Sequence, residues 1–315
     1  MPKLSIIVPV YNVEKYIEKC LKSLAKQTMQ DFEIIVVNDG TKDNSEAIIK
    51  KYMEEHKELN IKYLEKENGG LASARNYGVR YATGKYLSFI DADDYIDEDL
   101  YKNLEKYMDE NIDLIKFKMQ TVNEKGEILE KLDGPVFDKC TGEEAYKKLC
   151  TIDPFIDPAC IYLYRREFFV ENNFEYRLIY HEDFGLTSLI IVKAKSFVST
   201  NIYGYYYLQS DNSLTRENDY SKNVLRARDV LKHYDNMIEK IEKYDIDKET
   251  KKIVKRYYTN TVVLKADTLK GEDLENYINE IKKRKIYKNI KPENIKQLIK
   301  RIILKFNVKL YLKMR

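Results

Sequence analysis

In the first hundred residues, short apolar segments alternate with helix-like segments, and three of the apolar segments lead directly into polar motifs. The apolar segments have the continuous hydrophobicity of strands that are covered on both faces, and they lie at 5–10, 33–37, 61–64 and 86–90. Segments with apolar residues at helical spacing lie between them, at 16–24, 45–58 and 71–81. This alternation predicts an α/β fold with a mostly parallel sheet flanked by helices. Asn12 is a plausible cap of the first helix.

The rest of the chain is less regular in the middle and helical toward its end. Strands are predicted at 113–122 and 202–208, and a helix is predicted at 184–192. Thr141 and Glu144 have the spacing of a helix capping box. We therefore expect one domain over residues 1–215 and a helical C-terminal region over residues 216–315.

The composition excludes several classes of protein. No apolar run approaches the eighteen residues of a membrane-spanning helix, and the N-terminus lacks the features of a secretion signal. The four cysteines are scattered without a C-x-x-C pair, which favours a reducing cytoplasmic location and argues against a zinc site. The basic residues are not interleaved with stacking aromatic residues, so we expect no nucleic-acid partner.

Charge is distributed unevenly along the chain. Residues 282–315 contain 13 Lys or Arg and one acid, whereas the whole chain has a net charge of only +3, so the preceding body is acidic. Within this tail, one helical stripe is apolar and the lysines lie mostly on another; the apolar stripe contains Ile295, Leu298, Ile299, Ile302, Ile303 and Phe306. The pattern is typical of a basic helix in a membrane interface, and equally of a packed helix with a solvated lysine face.

Polar motifs follow three of the predicted strands at their carboxyl ends. Tyr11-Asn12 follows the first strand, Asp39-Gly40 the second, and an acidic run from Asp91 to Asp94 the fourth. Ligands of open α/β sheets bind outside the carboxyl ends of the strands, so the three motifs can converge on one small ligand.

Asp91 and Asp93 are the strongest candidates for a metal site. Two carboxylates one residue apart on a loop leaving a strand can approach one cation, and Mg²⁺ or Mn²⁺ prefers such oxygen ligands together with substrate phosphates. The alternative is an acidic turn before a helix, since acids are common in a first helical turn.

Three further motifs each have a structural alternative. Asp39 has the chemistry to bind a ribose hydroxyl or a base edge, or it forms a tight turn with the next glycine. The glycines at 69 and 70 start a helix that favours anions, and Arg75 lies one turn in, where it either reaches a phosphate or forms a surface ion pair. Asp183 acts as a general base or caps a helix, and His181 is a structural or acceptor-contacting residue rather than a metal ligand.

Together these motifs resemble the inverting family 2 glycosyltransferases of the GT-A fold, of the type that builds bacterial capsules and exopolysaccharides. The resemblance rests on five segments in the family's order and spacing: 5–12, 37–40, 68–76, 84–94 and Glu182-Asp183. It is strong over residues 3–110 and weaker to 212–215. Residues 1–110 would then form the nucleotide-binding part, and residues 111–215 the acceptor part.

The resemblance implies a function and a set of site residues. A single sugar would pass from a nucleotide-diphosphate sugar, with UDP as the commonest nucleotide, to a saccharide or lipid-linked saccharide acceptor at the inner face of the membrane. The nucleotide-sugar pocket would contain Pro9, Tyr11, Glu14, Asp39, Arg75 and Asp91. Asp93, with Asp91, would bind Mn²⁺ or Mg²⁺, and Asp183 would be the catalytic base.

Two departures and two rival hypotheses accompany the resemblance. Asn38 stands where many relatives have an acid, and we expect little consequence. The chain has no tryptophan and therefore no Gln-x-x-Arg-Trp motif, which argues against a processive synthase. The rivals are a nucleotide-sugar-binding protein without turnover and a haloacid-dehalogenase-like phosphatase, although in such phosphatases the Asp-x-Asp pair follows the first strand rather than the fourth.

Overall fold

A computed structural model describes residues 1–152, 157–209, 219–289 and 295–313. The chain forms two compact units. The first contains Met1–Leu178 and Ile190–Arg216, and the second contains Ile179–Leu189 and Glu217–Arg315. The segment 212–215, where the weaker part of the family resemblance ends, lies outside the described residues.

The first unit is built on a mixed sheet with the strand order β3-β2-β1-β4-β9-β6-β10-β5. Strands β7 and β8 pair with β6 and β10, respectively. The ten strands are β1 (Leu4–Val10), β2 (Phe32–Asn38), β3 (Ile61–Glu65), β4 (Tyr86–Phe89), β5 (Tyr95–Ile96), β6 (Leu114–Val122), β7 (Ile128–Leu132), β8 (Phe137–Cys140), β9 (Tyr162–Arg165) and β10 (Phe197–Leu208).

The four strands predicted in the first hundred residues are confirmed as β1 to β4, and they pair in parallel. Every residue of β1, β2 and β4 is buried, as their continuous apolar sequences predict. Strand β9 adds antiparallel pairs with β4 and β6, so the sheet is parallel mainly in the half that the first strands form. The predicted α/β fold with helices flanking a sheet is confirmed.

Parallel pairing brings the carboxyl ends of β2, β1 and β4 to one edge of the sheet. Val10 is in register with Asn38, and the Asp39 amide donates to the Val10 carbonyl at 2.9 Å. Ile7 is in register with Phe89, and the Ile90 amide donates to the Ile7 carbonyl. The polar motifs that follow these three strands therefore start side by side.

Seven helices belong wholly or partly to the first unit. They are α1 (Ile17–Ala25), α2 (Ser45–Glu55), α3 (Leu71–Tyr81), α4 (Leu100–Asp109), α5 (Gly142–Ile152), α6 (Arg166–Glu171) and α7 (Thr187–Lys193). The capping box is confirmed at α5, because the Thr141 amide donates to the Glu144 carboxylate and the Glu144 amide donates to the Thr141 hydroxyl. Helix α3 packs closely on the sheet, since a Cβ at Gly78 would lie 2.5 Å from Ile7 Cγ2.

Two local predictions about helix starts are wrong. Asn12 does not cap α1: it has a left-handed φ of 53°, and its side-chain oxygen accepts from the Lys42 amide at 2.9 Å. The helix predicted from Phe184 begins at Thr187 instead, after a turn in which the Leu186 amide donates to the Asp183 carbonyl. In both cases a loop contact or a turn occupies the place where the sequence predicted the start of a helix.

The second unit is helical in the described ranges. Its longer helices are α8 (Tyr220–Lys243), α9 (Lys248–Lys265), α10 (Gly271–Lys283), α11 (Ile295–Phe306) and α12 (Val308–Lys313). Asp219 and Asp247 cap α8 and α9 by accepting from backbone amides in the first turn. None of the helices, within the residues described, is long and apolar enough to cross a membrane.

Candidate active site

The Asp91–Asp94 loop leaves β4 and is anchored by an ion pair with helix α3. Arg75 Nη2 lies 2.8 Å from Asp91 Oδ1. The Arg75 side chain is only 1% exposed, whereas that of Asp91 is 26% exposed, so the pair presents its carboxylate toward solvent. Removing one partner of a buried ion pair costs about 3–5 kcal/mol, because it leaves the other charge uncompensated. The loop and the helix are therefore tied together at this point.

Aromatic rings hold the Arg75 guanidinium from within the first unit. Its carbon atom Cζ lies 6.0 Å from the centre of the Phe89 ring and 5.5 Å from that of Tyr176. The next residue, Asn76, fixes Tyr176 through two hydrogen bonds to its backbone, at 2.7 and 2.9 Å. Arg75 thus lies beside the acidic loop, in a buried ion pair with Asp91 rather than in a surface ion pair.

Asp94 is a structural member of the acidic loop, and no sequence pattern selected it as a site residue. Its carboxylate is buried and accepts from the Tyr205 hydroxyl at 2.6 Å and from the Leu208 amide at 2.7 Å. The same hydroxyl accepts from the Asp91 amide at 3.3 Å, so Tyr205 bridges both ends of the loop. The run of tyrosines in β10 was the available signal, but which one reaches the loop depends on strand register.

Asp93 is a carboxylate of the acidic loop whose surroundings disfavour its negative charge. Burial, together with the neighbouring Asp91 carboxylate, raises the pKa of Asp93 to about 6. Burial, together with the carboxylates of Asp93 and Asp91, also raises the pKa of Asp94 well above its usual range. A divalent cation would relieve this repulsion, so the chemistry of the pair fits one.

The fit extends to the number of ligands that the protein supplies. Across the described ranges, no group of three or more His, Cys, Asp or Glu side chains converges as a preformed metal cage. Magnesium-type sites are commonly held by one or two carboxylates and completed by water and substrate phosphates, and Asp91 and Asp93 match that pattern.

The Asp39 carboxylate binds the N-terminus of α3, where the sequence predicted that an anion would bind. Its carboxylate is 2% exposed and accepts from the amides of Gly69 and Gly70, the latter at 2.7 Å. Lys66 Nζ pairs with it at 2.6 Å. Gly40 has a left-handed φ of +69°, and the chain bends at this residue. The carboxylate therefore anchors the glycine loop to the end of β2.

The other expected pocket residues lie at the end of β1 and in the segment that follows it. Pro9 is a buried residue of β1, in register with Val37, and Tyr11 is 42% exposed just beyond the strand. Glu14 is tied to the loop before α2, because its carboxylate accepts from the Asn44 amide and its own amide donates to Asp43, both at 2.9 Å. Tyr11 is the most accessible of the three.

Asp183 belongs to the second unit, in the segment Ile179–Leu189. Its carbonyl accepts from the amides of Leu186 and Thr187 at the start of α7. The following residue, Phe184, is buried and stacks on Tyr258 of α9, with ring centres 4.3 Å apart. The backbone around Asp183 is thereby fixed within its own unit.

The sequence matches the family model described as Glycosyl transferase family 2 over residues 5–171, which is more than half of the chain. The chain belongs to this family. Among curated proteins it is 35% identical over 223 residues to the uncharacterized glycosyltransferase EpsJ of Bacillus subtilis (strain 168). The match covers 68% of this chain and 63% of EpsJ, so the chain spans less than two thirds of that relative.

Solved glycosyltransferases share the fold. The crystal structure of S. aureus TarS 1-349 in complex with UDP-GlcNAc superimposes with a TM-score of 0.69 at 22% identity, covering 99% of this chain and 92% of that one. A mannosyltransferase from Pyrobaculum calidifontis in complex with GDP-Man and Mn²⁺ gives a TM-score of 0.58 at 16% identity, covering 99% and 84%. The expected GT-A fold and family 2 membership are confirmed.

Replacing Asp93 with Asn removes a charge that its surroundings disfavour. Because the pKa of the Asp93 carboxyl is raised in the folded protein, folding favours its protonated form. At low pH this carboxyl does not destabilise the folded protein, and that advantage is lost as the pH rises through about 6. We expect Asp93→Asn to increase the free energy of unfolding of metal-free protein at pH 7.5 by about 1–3 kcal/mol, with a smaller gain at pH 4.5.

Urea unfolding in EDTA at the two pH values measures this difference. Asp31→Asn serves as the matched control, because Asp31 is an exposed aspartate outside the acidic loop and should change little at either pH. An Asp93→Asn protein no more stable than wild type at pH 7.5 would show that the carboxylate is not under electrostatic strain.

Proposed function

We propose that this protein transfers a single sugar from a nucleotide-diphosphate sugar to an acceptor hydroxyl, with help from a divalent cation. The observation that carries the proposal is the acidic loop after β4, in which Arg75 and Tyr205 hold Asp91 and Asp94 and leave Asp93 at a raised pKa. The carboxylates of Asp91 and Asp93 repel each other at the edge of the sheet, and a divalent cation bound to a diphosphate would relieve that repulsion.

The donor would lie at the carboxyl ends of β1, β2 and β4. Pro9 comes from β1, Tyr11 and Glu14 come from the segment after it, and Asp39 directly follows β2. UDP is the proposed nucleotide, supported by the UDP-GlcNAc in the TarS structure with the same fold. Asp39 would act mainly through the glycine loop, since its carboxylate already accepts from Gly69 and Gly70.

Charge stabilisation of the leaving group is the main catalytic task at this site. Asp91 and Asp93 would hold Mn²⁺ or Mg²⁺, and the bound ion would supply positive charge where the nucleoside diphosphate departs. The Mn²⁺ in the Pyrobaculum mannosyltransferase supports a divalent ion in this fold. Arg75 would contribute by fixing Asp91 at 2.8 Å and by adding its own positive charge behind the loop.

Asp183 is the proposed general base. Its carboxylate would take the proton from an acceptor hydroxyl as that oxygen attacks the anomeric carbon and the bond to the diphosphate breaks. A single displacement inverts the anomeric configuration.

In this division of roles, residues 1–110 bind the nucleotide, residues 111–215 contribute to the acceptor side, and residues 216–315 form the helical region. The acceptor would be a saccharide or a lipid-linked saccharide of a cell-surface polysaccharide.

The Asp183→Asn variant tests the transfer reaction. Loss of a general base typically lowers the rate about 10²- to 10⁴-fold. We therefore expect turnover to fall at least about 100-fold, while UDP affinity stays close to that of wild type. Release of UDP from a panel of UDP-sugars, with Mn²⁺ and polysaccharide acceptors, measures it. Glu182→Gln is the matched control at the adjacent acid and should retain most of the activity. Unchanged turnover in Asp183→Asn would remove this residue from the base role.

We further propose that α11 attaches the protein peripherally to the anionic inner face of the cell membrane. The apolar stripe of this helix is exposed: Ile295 and Phe306 are 77% and 68% exposed, and Leu298, Ile299 and Ile302 are also exposed. Leu304 of α11 is buried instead, which supports a helix that packs on the protein through another side. Residues 295–313 carry six Lys or Arg and no acid, which suits an anionic leaflet.

Binding to lipid vesicles tests this attachment. The double variant Ile299→Asp, Ile302→Asp should sediment less than wild type with phosphatidylglycerol-containing vesicles, and wild type should bind neutral phosphatidylcholine vesicles weakly. Leu225→Asp is the control, because Leu225 of α8 is an apolar side chain of similar exposure outside the tail. Equal sedimentation of the double variant and wild type would favour the alternative of a solvated surface helix.

A further inference from the structure

A cleft with a volume of about 610 Å³ lies in the first unit, and its lining residues all differ from those assigned to the donor site. Its walls are α1, β5 with the loop that follows it, the turn between β6 and β7, and β10. Pockets that bind small ligands commonly have volumes of about 300–1,000 Å³. The cleft is therefore large enough for a small molecule or a short segment of a chain.

Two walls of the cleft are joined by hydrogen bonds. The Ser23 hydroxyl of α1 accepts from the Ile96 amide of β5 at 3.2 Å. Just beyond α1, the Gln27 side-chain amide donates to the Asp97 carbonyl at 2.7 Å. These bonds fix the helix against the strand, so the cleft is preformed. A ligand that enters a preformed cleft is bound at a lower cost in conformational entropy.

The cleft and the acidic loop use opposite faces of the same two strands. Tyr95 of β5 and Tyr206 of β10 are directly opposite each other in the antiparallel pair, and both line the cleft. Successive side chains of a strand point to opposite faces. The preceding residues, Asp94 and Tyr205, are accordingly bonded to each other at 2.6 Å in the acidic loop. The cleft is therefore a second site rather than an extension of the first.

A stack of two aromatic rings and a lysine forms part of the lining. The half-buried rings of Tyr95 and Tyr206 are 9° from parallel, with their centres 4.7 Å apart. Lys19 Nζ lies 3.5 Å from the centre of the Tyr95 ring. Among the residues that the structure describes, no carboxylate forms an ion pair with Lys19, and burial lowers its pKa. Tyrosines combine an apolar ring with a polar hydroxyl, which suits a ligand that has both C–H surfaces and hydroxyl groups.

Charges of both signs line the cleft: Lys19, Lys22, Lys26, Asp97 and Glu98. Lys22 already pairs at 2.6 Å with Glu18, outside the lining, so two lysines and two acids remain and their charges balance. A nucleic acid or an anionic membrane would meet the two carboxylates unfavourably. A neutral ligand rich in hydroxyl groups can instead donate to the carboxylates and accept from the ammonium groups.

We propose that this cleft binds a neutral saccharide segment, as a second saccharide site separate from the donor site. The rings of Tyr95 and Tyr206 would contact the C–H surfaces of the sugars, and the lysines and acids would bond their hydroxyl groups.

The segment would belong to the polysaccharide that carries the acceptor, and this assignment rests on the proposed function. A chain held in the cleft would keep its acceptor end close to the enzyme and so raise the effective concentration of that end. Binding of a saccharide in the cleft requires neither UDP nor turnover, so it can be measured independently of sugar transfer.

Saturation-transfer nuclear magnetic resonance of the full-length protein tests the proposal. The neutral probes are hexasaccharides of glucose, galactose, mannose and N-acetylglucosamine, and the acidic comparison is the hexasaccharide of galacturonic acid. At least one neutral probe should receive saturation from wild-type protein, and more than the acidic probe receives. The signal should persist with saturating UDP and Mn²⁺, because the cleft is separate from the donor site.

Two variants assign the signal to the cleft. Lys26→Met, a change at an exposed lysine, should weaken saccharide binding about tenfold, because it removes a charged hydrogen-bond donor. Tyr206→Leu should weaken it through loss of the ring. Tyr203→Leu is the matched control, since Tyr203 is a half-buried tyrosine of β10 outside the lining. Calorimetry should give all three variants the wild-type affinity for UDP with Mn²⁺.

Three outcomes would overturn the second site. One is the absence of saturation transfer to every neutral probe in wild-type protein, which requires no variant to fold. Another is stronger binding of the acidic probe than of any neutral one. The third is binding that neither Lys26→Met nor Tyr206→Leu weakens. If UDP still binds with Mn²⁺ in these cases, the proposal for the donor site stands and only the cleft assignment fails.

Discussion

The ion pair between Arg75 and Asp91 is the interaction on which the site depends. Three carboxylates lie within four residues after β4, and two of them are strongly desolvated, so their mutual repulsion acts against an ordered loop. Arg75 offsets part of that repulsion from behind, at 2.8 Å, and the Tyr205 hydroxyl offsets more by donating to Asp94. The repulsion left at Asp93 is what a divalent cation would remove.

The position of the ion pair follows from the core of the first unit. Helix α3 lies so close to β1 that position 78 has room only for glycine, and this contact sets where Arg75 emerges. Asp39 fixes the start of the same helix through Gly69 and Gly70. The acidic loop and the glycine loop are therefore attached to the most buried strands of the sheet, which favours a preorganised geometry.

The features of the fold that local patterns determine were predictable from the sequence. Strands β1 to β4 and the capping box at α5 rest on short-range periodicity and spacing, and both are confirmed. The bond between Tyr205 and Asp94 joins residues 111 apart, so no local signal specifies it. Asn12 has the composition of a helix cap, but a tertiary contact with the loop around Lys42 determines its conformation. The burial of Arg75 likewise depends on Phe89 and Tyr176, which come from distant segments.

The most direct test of the central claim is calorimetric titration of UDP into the wild-type protein, once with Mn²⁺ and once with EDTA. If the acidic loop after β4 grips a cation-bound diphosphate, affinity with Mn²⁺ should exceed that with EDTA by at least about tenfold, or 1.4 kcal/mol. Equal affinity under the two conditions would contradict the claim, because it would mean that Asp91 and Asp93 take no part in holding the donor through a metal.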